Sequence, residues 1–499
     1  MCAKVTSIGL KGMEGYRVNV EVRTFVGNDS IRIVGLPDAA VKESKERIMA
    51  ALRSLGYTIN GQKIIINLSP SEQKKSGPMF DLPMAIGVLV SLNELVNSIP
   101  ENSGFIGALS LDGAIVPVEG MLPAILAAKK IGLTRLYMPY DNRLPYLKFD
   151  GLEIIYITSV KEVVEILEGR CSVFFTPKKE EMDSDNSSFI DFQQIIGHIE
   201  TKKALEIAAA GEHHVLMTGP PGCGKSMLAE SFPSILPPLS KEAQLEVIAL
   251  HQLSGANYLN AKTPPFRNPH HSASGISMIG GGTFPKPGEI SLSHRGVLFL
   301  DEIAEFPKKT LDMLRQPFEN GKITISRTQA TLTYPASFIL IAAMNPCPCG
   351  YAGSNTHYCT CTPRQRIAYQ NKISGPLRER FDIHLAIKPV DLEGKRARGE
   401  FSSKIVQRRV EAARSLQHQR YGRELSNSRV SYDTLQKTSP LTDGQQRILR
   451  LHSVKKNWSN RTQIKIIRLA RTISDLEGEI HITDQSIGEA VMLRNGERW

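Results

Sequence analysis

The chain has 499 residues, too many for one hydrophobic core, so two to four domains are expected. A hydrophobic fraction of 41 % is that of an ordinary globular protein, and the longest apolar run, Leu82 to Leu92, is too short for a bilayer-spanning helix. Seven cysteines and no secretory signal after Met1-Cys2-Ala3-Lys4 point to a reducing cytoplasm, and the net charge of +11 leaves room for an anionic partner such as nucleic acid without demanding one.

Residues 1–170 alternate strand and helix signals. Tyr16 to Val22 alternates with period two, as a half-buried strand does. Ala39 to Leu55 has helical spacing and stops at Gly56. Lys63 to Leu68 is a second strand, Leu82 to Leu92 a buried helix, and Phe105 to Ile115 a hairpin turning at Asp112-Gly113. Met121 to Ile131 is a helix with Gly132 as its C-cap. Two stretches, Lys74-Lys75-Ser76-Gly77-Pro78 and Gly120 to Gly132, resemble the proteolytic domain of Lon proteases, which implies a ribosomal-S5-like α+β fold. That family needs a serine just after the Gly-Pro and a lysine early in the later helix. Here Met79 and Phe80 follow Gly77-Pro78, and Pro123 and Ala124 stand in place of the lysine. None of these side chains can attack a carbonyl or take a proton. The expectation is a degenerate domain that keeps the fold without the peptidase.

Residues 171–188 are polar and charged and read as a linker. A new domain opens at Phe189. Its segment around Ile196-Gly197, followed by Lys203-Ala204-Leu205, is similar to the one that packs on adenine in AAA+ ATPases.

The strand His214 to Thr218 then leads into Gly219-Pro220-Pro221-Gly222-Cys223-Gly224-Lys225-Ser226, which fits the phosphate-loop pattern, with Met227 opening a helix. The glycines let backbone N–H groups curl around phosphate oxygens, and the helix N-terminus favours negative charge. Lys225 would reach the β- and γ-phosphates of ATP, and the Ser226 hydroxyl would hold Mg²⁺. An insertion rich in Gly, Pro, Ser and His follows, with Arg267-Asn268-Pro269-His270-His271-Ser272 and Gly280-Gly281-Gly282-Thr283. Its length predicts projecting hairpins. His270 and His271 are adjacent, poor geometry for one metal, and no role is assigned to them.

Gly296-Val297-Leu298-Phe299-Leu300 reads as a strand hidden on both faces that delivers Asp301 to Mg²⁺ and Glu302 to the attacking water. A period-two hairpin is expected over 322–333, where Lys322, Arg327 and Gln329 would contact nucleic-acid phosphates. Phe338 to Met344 is a long apolar strand ending in Asn345. Beyond it Cys347, Cys349, Cys359 and Cys361 form two C-x-C pairs, a set of four thiolates suited to tetrahedral Zn²⁺ and tighter in spacing than the common C-x₂-C pattern. Ser402 to Arg420 is a basic helix whose outer face would meet nucleic acid. Asn460 to Leu476 is amphipathic, with Ile466, Leu469, Ala470 and Ile473 on one face and Arg461, Lys465 and Arg468 on the other.

Taken together these motifs resemble the Mg-chelatase-like AAA+ family in its YifB/ComM branch. The resemblance implies a multidomain α/β protein: the degenerate Lon-like domain (1–170), the linker (171–188), an AAA+ core (189–390) with the cysteine insert (346–362), and a helical lid (391–499). It implies that Asn345 is the sensor 1 residue orienting water, and that Arg380, in Ser374-Gly375-Pro376-Leu377-Arg378-Glu379-Arg380-Phe381-Asp382, enters the adjacent subunit's site, with Arg378 as second choice. It implies that Arg461 is the sensor 2 residue touching the γ-phosphate. A finger acting in trans implies an oligomer, and the family implies a hexameric ring that hydrolyses ATP and acts on DNA, with branch migration during natural transformation as the ComM role. Two other classes remain open: a chelatase-type motor remodelling a partner protein, weakened because no metal-binding adhesion-type domain follows the lid, and an ATP-dependent protease, opposed by Met79, Phe80 and Ala124.

Overall fold

The computed structural model describes residues 2–95, 97–144, 149–170, 189–256, 258, 262–282, 285–327, 331–353, 357–390 and 401–496. The linker expected at 171–188 lies outside them, as do Thr283, Thr328 and Gln329. The chain divides into two compact units, Met1–Asp183 with Ile248–Asn260, and Ser184–Val247 with Ala261–Trp499. The sequence gives no sign that residues from Ile248 onward, in the second half of a helix that opens at Lys241, group with the first unit.

In the first unit, strands Cys2–Lys11, Glu14–Val26, Gln62–Ser69 and Ser30–Val34 lie in that spatial order, the first two pairs antiparallel and the last parallel. Val18, Val20 and Val22 alternate inward and are fully buried, as the period-two pattern requires. Helices Ala39–Ser54, Asp81–Ser91 and Met121–Ile131 form where expected. Asp38 caps the first by accepting the Val41 N–H at 2.8 Å. Gly132 ends the third in the left-handed region at φ 80°, which a side chain would resist. The hairpin at Asp112-Gly113 is short, pairing Ala108–Leu109 with Ile115–Val116. Phe105 belongs instead to a parallel sheet of Ser103–Phe105, Arg135–Met138 and Glu153–Tyr156. Met79, Phe80 and Ala124 are all buried in apolar clusters. Just beyond them, Asp81 is buried and held by Arg47 at 2.7 and 3.1 Å, so the charge near this turn is spent on packing.

The second unit is built on a five-stranded, all-parallel sheet. Its strands are β1 (Val215–Thr218), β2 (Phe266–Arg267), β3 (Val297–Leu300), β4 (Ile339–Met344) and β5 (Ile383–Ala386). The spatial order is β2-β3-β4-β1-β5. All residues of β3 and β4 are buried, as strands covered on both faces must be. One hydrophobic cluster runs from Ala204 and Phe232 through Val297 and Ile341 to Val406, Ile466 and Leu469. Core and lid ranges therefore share a core rather than forming separate compact units.

The insertion before β3 departs from the expected hairpins. Among the described residues it contributes β2 itself, helices Gly275–Ile279 and Glu289–Leu292, and a hairpin of two-residue strands, Gly280–Gly281 with Lys286–Pro287. Arg267 pins it through Glu289 at 2.6 and 2.7 Å. The hairpin after β3 forms as expected, Lys322–Ser326 against Thr331–Pro335.

Candidate functional site: two clusters at opposite ends of one sheet

The first cluster sits at the carboxyl ends of the strands. After Thr218 the chain turns through Gly219, where a Cβ would lie 2.6 Å from the Ile387 carbonyl, so only glycine fits. Gly222 and Gly224 take φ of 74° and 82°, the left-handed values that curl the loop. Cys223 is buried beneath it, and burial pushes its thiol up. Lys225 is buried; its ammonium donates to the carbonyls of Gly219 and Pro220 at 2.8 Å each and to Asn345 Oδ1 at 3.2 Å. Ser226 Oγ donates to Asp301 Oδ2 at 2.9 Å. Asp301 Oδ1 accepts the Glu302 N–H at 2.9 Å, and Glu302 itself is exposed with φ 49°, an unusual conformation for a residue with a side chain. The structure thus brings Lys225, Ser226, Asp301, Glu302 and Asn345 to one place, from three strands. Pro220 is half-buried, while Pro221 and Met227 are exposed on the loop's outer side.

Ile196 and Gly197 lie just before the helix Ile199–Gly211, and the next residue, His198, comes within 3.5 Å of where a Cβ on Gly224 would stand. Gly197 takes φ 67°, and a Cβ there would press into Val390 at 2.4 Å, so this turn packs directly against the chain that follows β5.

One neighbour of this cluster escaped the sequence reading. His271 Nδ1 lies 3.8 Å from Glu302 Oε2, so the insertion reaches the glutamate. His270 stacks on His271 at 4.0 Å and bonds Ser272 Oγ at 2.7 Å.

The second cluster sits at the amino ends of the strands. Asp382 N–H donates to the His214 carbonyl at 2.9 Å, just before β1 and β5 begin. From His214 to Thr218 is about 13 Å of extended chain at ~3.3 Å per residue. Arg380, two residues before Asp382, is therefore far from the phosphate loop of its own chain. Its guanidinium is paired with Glu319. Arg461 Nη2 lies 3.7 Å from the same Glu319 oxygen. Arg461 thus joins Arg380 and not the Lys225 cluster of its own chain. Arg378, the second choice, is bonded to the Gln370 carbonyl.

The rest of the helix Asn460–Leu476 holds this end together, and here the structure departs from a solvated cationic face. Lys465 is buried against Asp382 at 2.7 Å, and Arg468 donates to the Val430 carbonyl. Burial pushes the Asp382 carboxyl up, but Lys465 with His213 and His214 outweighs it and holds the carboxyl well below its usual range. The helix Ser403–Tyr421 is likewise less free than its charge indicates. Arg409 is spent on Glu206 at 2.5 Å, Arg414 on the Ala209 carbonyl at 2.7 Å, and Arg420 on the buried Asp475. Lys404 and Arg408 remain exposed.

Between the two clusters in sequence lies the cysteine group. The sulfurs of Cys347, Cys349, Cys359 and Cys361 all lie within 4.8 Å of one another. Separations of 3.4, 3.7 and 3.5 Å among the first three are close to the ~3.8 Å set by a tetrahedral S₄ site with ~2.3 Å metal bonds. Gly350 turns the first pair at φ 85°, and a Cβ there would meet Pro221 of the phosphate loop at 2.8 Å.

Comparison with known proteins agrees with this arrangement. Families described as magnesium chelatase, subunit ChlI, match residues 191–394 and 20–142, and the ChlI C-terminal family matches 400–494. Over 492 residues the chain is 38 % identical to the uncharacterized protein YifB of Salmonella typhimurium, covering 98 % of this chain and 96 % of that one. Over 500 residues it is 36 % identical to the competence protein ComM of Haemophilus influenzae, covering 99 % and 97 %. The chain belongs to the Mg-chelatase-like AAA+ family. Full-length likeness to YifB and ComM assigns it to their branch. Its N-terminal region is also similar to Lon protease 2 of Bacillus subtilis, 29 % identical over 168 residues and 30 % of each chain. Membership in this AAA+ family implies ATPase activity and oligomeric assembly. Among the described residues no helix is long and apolar enough to cross a membrane.

Proposed function

We propose that this protein is an ATP-driven motor that works on DNA as a ring of identical subunits, by translocation or branch migration. The observation that carries the proposal is the separation of the two clusters. Lys225, Ser226, Asp301, Glu302 and Asn345 fit Mg-ATP: a buried ammonium, a hydroxyl bonded to a carboxylate where Mg²⁺ would bind, an exposed carboxylate to act on water, and an amide beside the lysine. Bound Mg²⁺ would neutralise charge on the β- and γ-phosphates. The loop glycines and Met227 would cradle the phosphates, and Ile196 and Gly197 would meet the base. This set has Lys225 as its one protein cation and contains no arginine to share the charge that spreads over the γ-phosphate as it leaves. Arg380 and Arg461, at the other end of the same sheet, supply it to the next subunit. A hexamer closes that arrangement.

DNA is the substrate best supported. The relative ComM is named for competence, the chain is basic at +11, and Lys322 and Arg327 are exposed on the hairpin that follows β3. ATP turnover and binding should be measured with forked and four-way DNA. Stimulation and salt-sensitive binding are expected; neither would be compatible with a protein-remodelling motor of the chelatase type, the second reading favoured by the ChlI families. In the same proposal the four cysteines hold Zn²⁺, and purified protein should carry one equivalent. The Lon-like region serves structure or partner binding, since Met79, Phe80, Pro123 and Ala124 occupy the positions of nucleophile and base; degradation of casein by the pure chain would contradict this.

A further inference from the structure

We propose that Glu319 is a positioning residue: it restrains Arg380 and Arg461 within their own subunit and ties their release to the 322–335 hairpin. The inference rests on reading Arg380 as a cation offered to a neighbour. One carboxylate faces two guanidinium groups here, so the cluster keeps a net positive charge and most of its donors unspent. Arg380 is only 12 % exposed, yet its Nε is buried without a hydrogen-bond partner. Arg461 is half exposed and only grazes Glu319. A carboxylate that is itself half exposed makes a weak hold. A multiply charged phosphate group from the next subunit offers more acceptor oxygens and more charge, and would displace it.

What that displacement moves is set by the chain. Glu319 is the last residue but one of the helix Arg315–Asn320. Gly321 follows in the left-handed region at φ 61°, its N–H bonded to the Pro317 carbonyl at 2.8 Å. The Gly321 carbonyl accepts the Ala336 N–H at 2.8 Å, and Lys322, paired with Pro335, opens the hairpin. Asn320 and Gly321 alone separate the carboxylate from the hairpin, and both hairpin strands are fastened at that root. A change of partner at Glu319 is therefore felt at the base of the element that presents Lys322 and Arg327.

The test is ATP turnover by the assembled full-length protein without DNA. In E319Q, kcat should rise about threefold or more with KM within about twofold, because a restraint on the finger is lost and the ATP-binding residues are untouched. The double variant R380A/E319Q should fall to the rate of R380A. Tryptic cleavage after Arg327 should differ between ADP- and ATPγS-bound parent protein and lose that difference in E319Q, at an unchanged melting temperature. A kcat at or below that of the parent, or cleavage that still follows the nucleotide, overturns the inference while leaving the trans reading intact. An R380A protein with the parent's rate overturns the trans reading and the inference with it.

Discussion

The two ends of the parallel sheet are built in opposite ways. At the carboxyl ends, Asp301, Glu302 and Asn345 leave buried strands within one or two residues, Lys225 and Ser226 follow β1 by one short loop, and the groups satisfy one another: Lys225 with Asn345, Ser226 with Asp301. At the amino ends, Glu319, Arg380 and Arg461 come from three distant segments and meet through long, partly exposed side chains. The first end is built of mutually bonded side chains with Lys225 as the one cation among the five. The second is adjustable and has cations to spare. Each lacks what the other holds, and roughly 13 Å of strand keeps them apart within one chain.

The strongest way to break this comparison is to separate the ends genetically. Arg380→Ala should lower kcat for ATP by about 10³-fold, the scale of losing a cation from phosphoryl transfer. Mixing it with Lys225→Ala should restore part of the activity, because some interfaces would then pair an intact loop with an intact arginine. Two inactive proteins that stay inactive when mixed, while still assembling, would show that Arg380 works inside its own subunit. Glu302→Gln tests the other end alone. It should lower kcat by about 10²-fold and leave ATP affinity within a few-fold of the parent, since the role proposed for Glu302 is to act on water and not on the nucleotide. A variant that hydrolyses ATP at the parent rate removes Glu302 from the chemistry.

The same contrast explains what could be read from the sequence. The carboxyl-end cluster is written in contiguous motifs, because a strand followed at once by a loop fixes its residues by covalent geometry; residues 219–226 and 301–302 are legible for that reason. So was the sheet itself, in the apolar runs of β3 and β4. The amino-end cluster depends on which side chain meets which across some 60 to 140 residues, and no local pattern encodes Glu319. His271 was equally hidden, since its approach to Glu302 is made by the fold of the insertion. Reading the insertion as hairpins held only for Gly280–Gly281 with Lys286–Pro287, because Gly and Pro mark turns without saying what lies between them; short helices, such as the one capped by Ser274, fill other parts of the described insertion. The basic helix Ser403–Tyr421 shows the same limit, for its arginines find acids on other elements.

The cysteine group sharpens the comparison, because it follows Asn345 of the first cluster and precedes Arg380 of the second. Treatment with a chelator to strip the Zn²⁺ proposed for it, or Cys349→Ser, should lower the melting temperature of the second unit by about 5 °C or more, as expected when binding energy that belongs to folding is withdrawn. ATP binding should weaken along with it, through Gly350 against Pro221. A purified protein without zinc, or one whose melting is unmoved by the chelator and by the substitution, would reduce the four thiols to ordinary side chains.

The smallest effect expected is one of pH, and it should fall on the amino end. Asp382 ties β5 to the helix that carries Arg461, through Lys465. Burial opposes its ionised form, yet Lys465, His213 and His214 hold its pKa well below the usual value. Glu246 is brought down to about 2, against burial, by His294 and Arg295. For carboxyls lowered in this way, the unfolded chain binds more protons than the folded one in acid. Their stabilisation is complete above the unfolded value, ~4, and is lost as pH falls below it. Lys465 shows the reverse origin: burial outweighs its attraction to Asp382 and brings it down to about 8, so between there and its unfolded value near ~10.4 stability should rise with pH. Lowering the pH from 5 to 3.5 should therefore cost the second unit of order 1 kcal/mol, about 2–4 °C in its midpoint, and Asp382→Asn should flatten that slope. Amide exchange should quicken in Asn460–Leu476 before it does in Lys225–Ser231. Exchange that quickened first around the phosphate loop would mean that the Asp382–Lys465 pair is not what ties the helix carrying Arg461 to β5.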